Sequence, residues 1–345
     1  MHSLYIGQNT PGTTSKMRVD HLKELLPGTF EVIDTHIPFF QISKLWRSLG
    51  FRFKKGPLIQ KVNNYIIEKL GNSSSKEFDL IWVDKAIFLN KETTQILKTK
   101  GKKLVHFTPD PAFTFHKSTL FKESLPIYDF AVTTKSYEIK HYRNILAKER
   151  IIITTQGFNP QNHCPTTDFA KKNEGVLFIG HHEKPRELIL QKLLDNNIPV
   201  TIAGIKWGKF AQKNQNNSNL TYLGKGVYGA QYAKIISSHY FSWGALSKWI
   251  PELHTTRTFE IPACGTALIT ERNTETSNFF NEDEAIFYDS VDEMIEKIKY
   301  YQSHPDELKQ LTSKGRERVI SDGRDYRSIL EKVLEEIGVI TTHTP

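Results

Sequence analysis

The chain has 345 residues and a mass of 39.8 kDa, a length that predicts two domains. Hydrophobic residues make up 38%, charged residues 24%, and mean hydropathy is −0.44; with no apolar run near the roughly 18 residues of a spanning helix, an integral helical membrane protein is excluded. The net charge is 46 − 38 = +8, and the two cysteines, Cys164 and Cys264, are too few for a disulfide framework or a cysteine zinc site.

The first residues read as a strand, Leu4–Ile6, without the basic and apolar regions of a signal peptide, so a cytoplasmic location is expected. Charge is unevenly spread. Residues 1–150 hold 24 Lys and Arg against 14 Asp and Glu, a net of +10, leaving −2 for the remainder. The first half therefore suits an anionic partner. Within it, Lys44-Leu-Trp46-Arg47-Ser-Leu49-Gly-Phe51-Arg52-Phe53-Lys54-Lys55 interleaves aromatics with cations. That pattern fits peripheral contact with an anionic membrane at its inner face, or equally an amphipathic element whose aromatics are core.

Short apolar runs then alternate with amphipathic stretches. Strands are predicted at Leu4–Ile6, Glu31–Ile33, Leu80–Val83, Lys103–Phe107, Phe130–Thr133 and Ile151–Thr154, with helices at Lys16–Leu26, Val62–Leu70, Lys91–Lys100 and Tyr137–Ala147. Residues 159–173 have linker composition. A second series follows, with strands at Val176–Ile179, Val200–Ala203, Leu220–Leu223, Tyr240–Trp243, Ala267–Thr270 and Ala285–Tyr288. Its helices lie near Arg186–Leu194, Tyr228–Ser237, Thr258–Cys264 and Val291–Tyr301, the last opened by a Ser290/Glu293 capping pattern. A final amphipathic helix covers Ile329–Ile337. Such alternation predicts an α/β chain of two doubly wound, Rossmann-like domains, at 1–160 and 173–325, followed by the helical segment 326–345.

Three segments carry candidate chemistry. Gly224-Lys-Gly226-Val-Tyr228-Gly229 matches a dinucleotide-type turn, but it sits deep in the second series and no acidic residue lies about 20 positions on, so glycines fitting a tight turn are the better reading. Gly180-His181-His182-Glu-Lys184-Pro-Arg186 follows a strand and opens a helix, where free N–H groups and cations suit a phosphate. Adjacent histidines on a strand end point apart, so metal is not expected there. The densest segment runs from Glu252 to Glu271. It holds Glu252, His254, Arg257 and Glu260, with hydroxyls at the helix start including Thr258, and Gly265 as its C-terminal stop.

Glu252-x7-Glu260 resembles the E-x7-E region of GT-B glycosyltransferases. The segment HTTRTFEIPACGTALITE resembles the C-terminal domain of CgeB-like (spore maturation protein-like) glycosyltransferases, related to glycosyltransferase groups 1 and 4. FDLIWVDKAIFL, VHFTPDPAF and YDFAVTTKSYEIKHYR resemble that family's N-terminal domain, while GVLFIGHHEKPRE and the stretch 284–319 resemble its nucleotide-binding domain. The resemblance implies a GT-B fold, two Rossmann-like domains facing across a cleft, with the final helix crossing back to the first. It implies transfer of a hexose from a nucleotide-diphosphate sugar, with a uridine-linked donor expected, to a glycan, lipid or protein acceptor.

By the same resemblance, Glu260 accepts from the ribose hydroxyls, Glu252 approaches the donor sugar, and His181 and Arg186 stand where the family's pyrophosphate-binding Arg and Lys do. The loop Gly7–Thr14, with Gly12 and Thr13, would face donor phosphates and acceptor. Tyr228, Arg257 and Thr258 complete the candidate donor set, and His254 joins Glu252 as a catalytic candidate. No Asp-x-Asp metal motif occurs. The leaving pyrophosphate would be neutralised by helix N-termini with Lys184, Arg186 and Arg257, so no metal or other cofactor is expected. Asp110, after the strand 103–107, is the candidate base if the reaction inverts. Two rivals remain: a non-hydrolysing nucleotide-sugar epimerase on the same fold, and a basic nucleic-acid-binding protein. The latter lacks the aromatic-basic, helix-turn-helix and zinc patterns of specific nucleic-acid binders.

Overall fold

The computed structural model describes residues 1–73, 77–115 and 117–341. Two compact units are present: Met1–Thr155 with the segment from Tyr326 onward, and Gln156–Asp325.

The first unit contains β1 (His2–Gly7), α1 (Thr14–Leu25), β2 (Thr29–Asp34), α2 (His36–Phe40), α3 (Lys44–Phe53), α4 (Pro57–Gly71), β3 (Phe78–Asp84), α5 (Lys91–Lys100), β4 (Gly101–Thr108), α6 (Thr119–Ser124), β5 (Phe130–Thr133), α7 (Ile139–Arg143) and β6 (Ile151–Ile153). Its six strands pair in parallel in the order β2-β1-β3-β4-β5-β6. Strand residues alternate between two cores, because successive side chains leave opposite faces of a sheet. Leu4, Ile6, Ile81 and Val83 enter one cluster with α4 and α5; Tyr5, Leu80 and Trp82 enter the other with α1. Each fully buried Leu, Ile or Val contributes about 1.5–3 kcal/mol.

The second unit contains β7 (Asn173–Ile179), α8 (Lys184–Asp195), β8 (Val200–Ala203), α9 (Gly208–Lys213), β9 (Leu220–Tyr222), α10 (Ala230–Ser237), β10 (His239–Trp243), α11 (Arg257–Ala263), β11 (Ala267–Glu271), α12 (Thr276–Phe279), β12 (Ile286–Tyr288), α13 (Val291–Ser303) and α14 (Pro305–Ser321). These strands also run parallel, in the order β12-β11-β10-β7-β8-β9. Val176 and Phe178 face one core, Leu177 and Ile179 the other. The last helix, α15 (Tyr326–Glu336), belongs to the first unit, where Leu330, Val333 and Leu334 pack with Val19 and Leu22 of α1. Lys103 Nζ donates to the carbonyls of Ile337 and Gly338 just beyond it.

Several local expectations shift. The helix expected at 137–147 is only α7, preceded by a 3₁₀ turn at Ser136–Glu138, because the Glu138 carboxylate is used elsewhere. It accepts from the backbone N–H groups of Ala112, Phe113 and Thr114 at 2.7, 3.1 and 2.8 Å. The capping pattern at Ser290 forms on one side only. Ser290 Oγ accepts from Glu293 N–H, while Glu293 accepts from Asp289 N–H rather than from Ser290. Gly265, just past the Cys264 cap of α11, has φ +68, a conformation that favours glycine.

Candidate functional site

In a doubly wound sheet, ligands bind beyond the carboxyl ends of the strands, where the strand order reverses. In the second unit that point lies between β7 and β10. The β7–α8 turn and the long β10–α11 loop therefore frame it, and both carry sequence candidates.

Arg186, in the first turn of α8, is 7% exposed. Its Nη1 donates to Glu183 Oε1 at 2.9 Å and to the His181 carbonyl at 3.0 Å. Its Nε is buried and has no partner among the described residues, and the same holds for Arg257 Nε at the start of α11. Burial lowers the pKa of Arg186, and the nearby charge of Arg257 lowers it further, against the opposing pull of Glu183, Glu252 and Glu271. The two guanidinium groups are thus within electrostatic reach of each other. A buried charged donor left without an acceptor costs more than the roughly 1–3 kcal/mol of a neutral one. Two such donors within electrostatic reach of each other have the chemistry to accept an anion.

Glu260 is 5% exposed. Its Oε2 accepts from Tyr232 Oη at 2.6 Å and Thr256 Oγ1 at 3.1 Å, and its Oε1 has His163 Nε2 at 3.8 Å. A carboxylate offers about four acceptor positions, so these contacts do not exhaust it. His163 Nδ1 accepts from Asn159 N–H at 3.0 Å, which leaves the ring proton on Nε2, toward Glu260. Burial raises the Tyr232 phenol pKa well above its usual value, and Glu260 adds to this. Tyr232 therefore stays a donor. The nearby charge of Arg257 acts on Tyr232 as well as on Arg186, so Arg257 stands within reach of both groups.

Glu252 Oε2 accepts from Ser247 N–H at 3.0 Å, and Ser247 Oγ reaches Glu183 at 3.3 Å. This links the β10–α11 loop to the β7–α8 turn. His254 is 2% exposed, with Nδ1 on Glu275 Oε2 at 2.5 Å and Nε2 accepting from Gln156 N–H at 3.2 Å. Both ring nitrogens are engaged, an arrangement that holds the loop. Thr258 is fully buried and its Oγ1 accepts from Thr255 N–H, so it closes the start of α11 from inside. The His181 ring is exposed; its carbonyl is what fixes Arg186. Lys184 pairs with Glu187 at 2.6 Å. Tyr228 is 76% exposed on the β9–α10 turn, and Gly224 and Gly229 there have φ +94 and +59, so the turn geometry accounts for both glycines.

The structure thus gathers Arg186, Arg257, Glu252 and Glu260 at one strand edge. Sequence reasoning missed His163, Tyr232, Glu183 and Glu275. His163 lies in what reads as linker; Tyr232 and Glu275 take part through contacts 28 and 21 positions away, and Glu183 joins Arg186 locally and Ser247 64 positions away.

Gly12, Thr13 and Asp110 lie in the first unit. Thr13 caps α1, accepting from Lys16 N–H at 3.2 Å, and Gly12 has φ +79. Asp110 Oδ2 pairs with Lys85 Nζ at 2.8 Å. Both line a cavity of about 250 Å³ with Gln8, Phe39, Asp84 and His106. It opens where β1 and β3 diverge in strand order, the corresponding point of that sheet. Burial pushes the His106 pKa down to about 3, so that ring is neutral. Among the described residues, no group of three or more His, Cys, Asp or Glu could hold a metal ion.

Two six-stranded parallel sheets with flanking helices, each with its polar residues at a strand-order reversal, are the GT-B architecture. HepE from Anabaena, solved with UDP, matches with a TM-score of 0.65 at 13% identity, covering 99% of this chain and 100% of its own. A glycosyltransferase from Rickettsia africae matches at 0.69 and 13%, covering 99% of each chain. Sucrose-phosphate synthase from Thermosynechococcus elongatus matches at 0.68 and 12%, covering 98% of this chain and 99% of its own. Residues 185–335 match the family model described as glycosyl transferase-like. No curated protein matches the chain.

Proposed function

We propose that the chain is a glycosyltransferase that moves a hexose from a UDP-linked donor to an acceptor bound at the first unit. The observation that carries this reading is the pair of buried Nε–H groups of Arg186 and Arg257, unpartnered among the described residues and within electrostatic reach of each other, with the Glu260 carboxylate on the same helix as Arg257. A nucleoside diphosphate presents a dianionic bridge and a ribose diol, and these groups match both parts. The structural relative HepE was solved with UDP and with UDP-glucose, which supports the choice of donor.

In this reading Arg186 and Arg257 hold the pyrophosphate and stabilise the charge that grows on it as the glycosidic bond breaks. Glu260, held by Tyr232 and Thr256, accepts from the ribose hydroxyls. Glu252 approaches the sugar, and His254 keeps the loop in place rather than moving a proton. Asp110, oriented by Lys85, is the base toward an acceptor hydroxyl if the anomeric configuration inverts. A non-hydrolysing epimerase would return an epimerised UDP-sugar with no net release of UDP; the transferase releases UDP in step with acceptor glycosylation.

Glu260→Gln tests the reading. A hydrogen bond to a charged acceptor is worth about 1.5–3 kcal/mol, so UDP affinity by calorimetry should fall about 10- to 100-fold in a variant that melts normally. Unchanged affinity removes Glu260 from the site. Because two guanidinium groups supply the positive charge, transfer should also persist in excess EDTA. Loss of activity that Mn²⁺ or Mg²⁺ restores would overturn the assignment of the pyrophosphate to the arginines.

A further inference from the structure

Residues 35–67, between Asp34 and Glu68, contain no acidic residue and six Lys or Arg. This stretch forms α2, α3 and most of α4. Helix α3 packs on α4 through Gly50, where an added Cβ would lie 2.6 Å from Leu58 Cβ. That close approach fixes which side of α3 faces inward. Leu45, Leu49 and Phe53 recur at spacing four, on one stripe, with Trp46 beside them. Leu45 is 67% exposed, Phe53 57% and Trp46 48%, and Leu49 is half-buried. On α2, Phe40 is 62% exposed, and the Arg47 guanidinium of α3 lies 5.2 Å from its ring centroid, on the side of α3 away from the Leu45 and Leu49 stripe.

An ordinary amphipathic helix turns its apolar stripe to the core. Here the stripe faces out, rimmed by Lys44, Arg52 and Lys55. Lys54 is not part of this rim. Its amine turns inward over the Phe51 and Phe88 rings at 4.1 and 5.4 Å, and burial pushes its pKa down to about 8.

We propose that the α3 face of the first unit docks on an anionic lipid bilayer, inserting Leu45, Trp46 and Phe53 between head groups while the rim cations meet lipid phosphates. A soluble acidic polymer would satisfy the cations but leave the apolar stripe in water. A bilayer takes both. Among the described residues no helix is long and apolar enough to cross a membrane, so the contact is peripheral.

The test is co-sedimentation of the full chain with vesicles of phosphatidylcholine, with and without phosphatidylglycerol. Binding is expected only with phosphatidylglycerol and should weaken at high salt as screening shortens. Each rim cation contributes about fivefold, so the combined Lys44→Gln, Arg52→Gln, Lys55→Gln variant should lose about 100-fold in partitioning. The combined Leu45→Ser, Trp46→Ser, Phe53→Ser variant, which replaces exposed groups, should lose at least about tenfold with unchanged melting and UDP affinity. Equal binding to both vesicle types, binding to neither, or heparin binding without vesicle binding overturns the proposal. So does full vesicle binding by the serine variant.

Discussion

Replacing Asp84 by asparagine is expected to weaken the first unit by about 3–5 kcal/mol, the cost of leaving a buried charge uncompensated. Asp84 ends β3 and takes a two-pronged bond from Arg18 of α1, Nε to Oδ2 at 2.8 Å and Nη2 to Oδ1 at 3.0 Å. Both side chains are 1% exposed. Burial works against the Arg18 charge, but Asp84 outweighs it and the guanidinium pKa is raised. Ser15 Oγ accepts from the same guanidinium at 3.1 Å, and the Phe107 ring centroid lies 4.8 Å from it. No other carboxylate is bonded to Arg18 among the described residues, so asparagine strands it. Hydrogen exchange of β1 and β3 amides should accelerate at least about 100-fold. Replacing both partners together, Arg18→Met with Asp84→Leu, should recover most of the loss, because neither charge is then buried. A cost below about 1 kcal/mol for Asp84→Asn would mean that the pair is not desolvated as the geometry requires.

This ion pair also marks a limit of what the sequence discloses. The strands were legible because β-branched and aromatic runs such as Leu80–Val83 and Val176–Ile179 are buried on both faces and read as continuous apolar stretches. Arg18 and Asp84 are 66 positions apart, and no local pattern joins them. Helix α14 escaped for a different reason. Its inward face is Leu308, Leu311, Thr312, Gly315 and Val319, too polar and too small to mark a period. Gly315 is there because an added Cβ would lie 2.3 Å from the Glu284 carbonyl oxygen, so a tight approach replaced an apolar side chain. At the candidate site, Arg186 and Glu260 could be chosen from sequence because a strand–turn–helix start and a paired-glutamate segment single them out. The engagement of both His254 nitrogens and the inward turn of Thr258 depend on Gln156, Glu275 and Thr255, and only three-dimensional packing shows them. The α3 stripe was ambiguous in sequence, since aromatics among cations fit a core-facing helix as readily as an outward one. Its packing through Gly50 decides the matter.

Arg257→Ala should reduce UDP affinity by about 10- to 100-fold while changing uridine affinity less than about threefold, since a charge-assisted bond to phosphate is worth about 1.5–3 kcal/mol. In the proposed donor site, uridine would keep the ribose contacts to Glu260 and lack the pyrophosphate. Arg257 Nε has no hydrogen-bond partner to lose among the described residues, although the Arg257 charge also acts on Tyr232 and Arg186. Arg186→Ala should weaken UDP at least as much, but it also removes the bonds to Glu183 and the His181 carbonyl, so part of its effect comes through the β7–α8 turn. Arg186→Lys separates the two contributions. Lysine keeps the charge and loses the planar fork, so affinity should recover only in part. Inorganic pyrophosphate should compete with UDP on the unaltered protein and lose that ability in Arg257→Ala. If a folded Arg257→Ala protein binds UDP and uridine in the original ratio, the two guanidinium groups do not hold the pyrophosphate, and the donor reading of this strand edge fails with them.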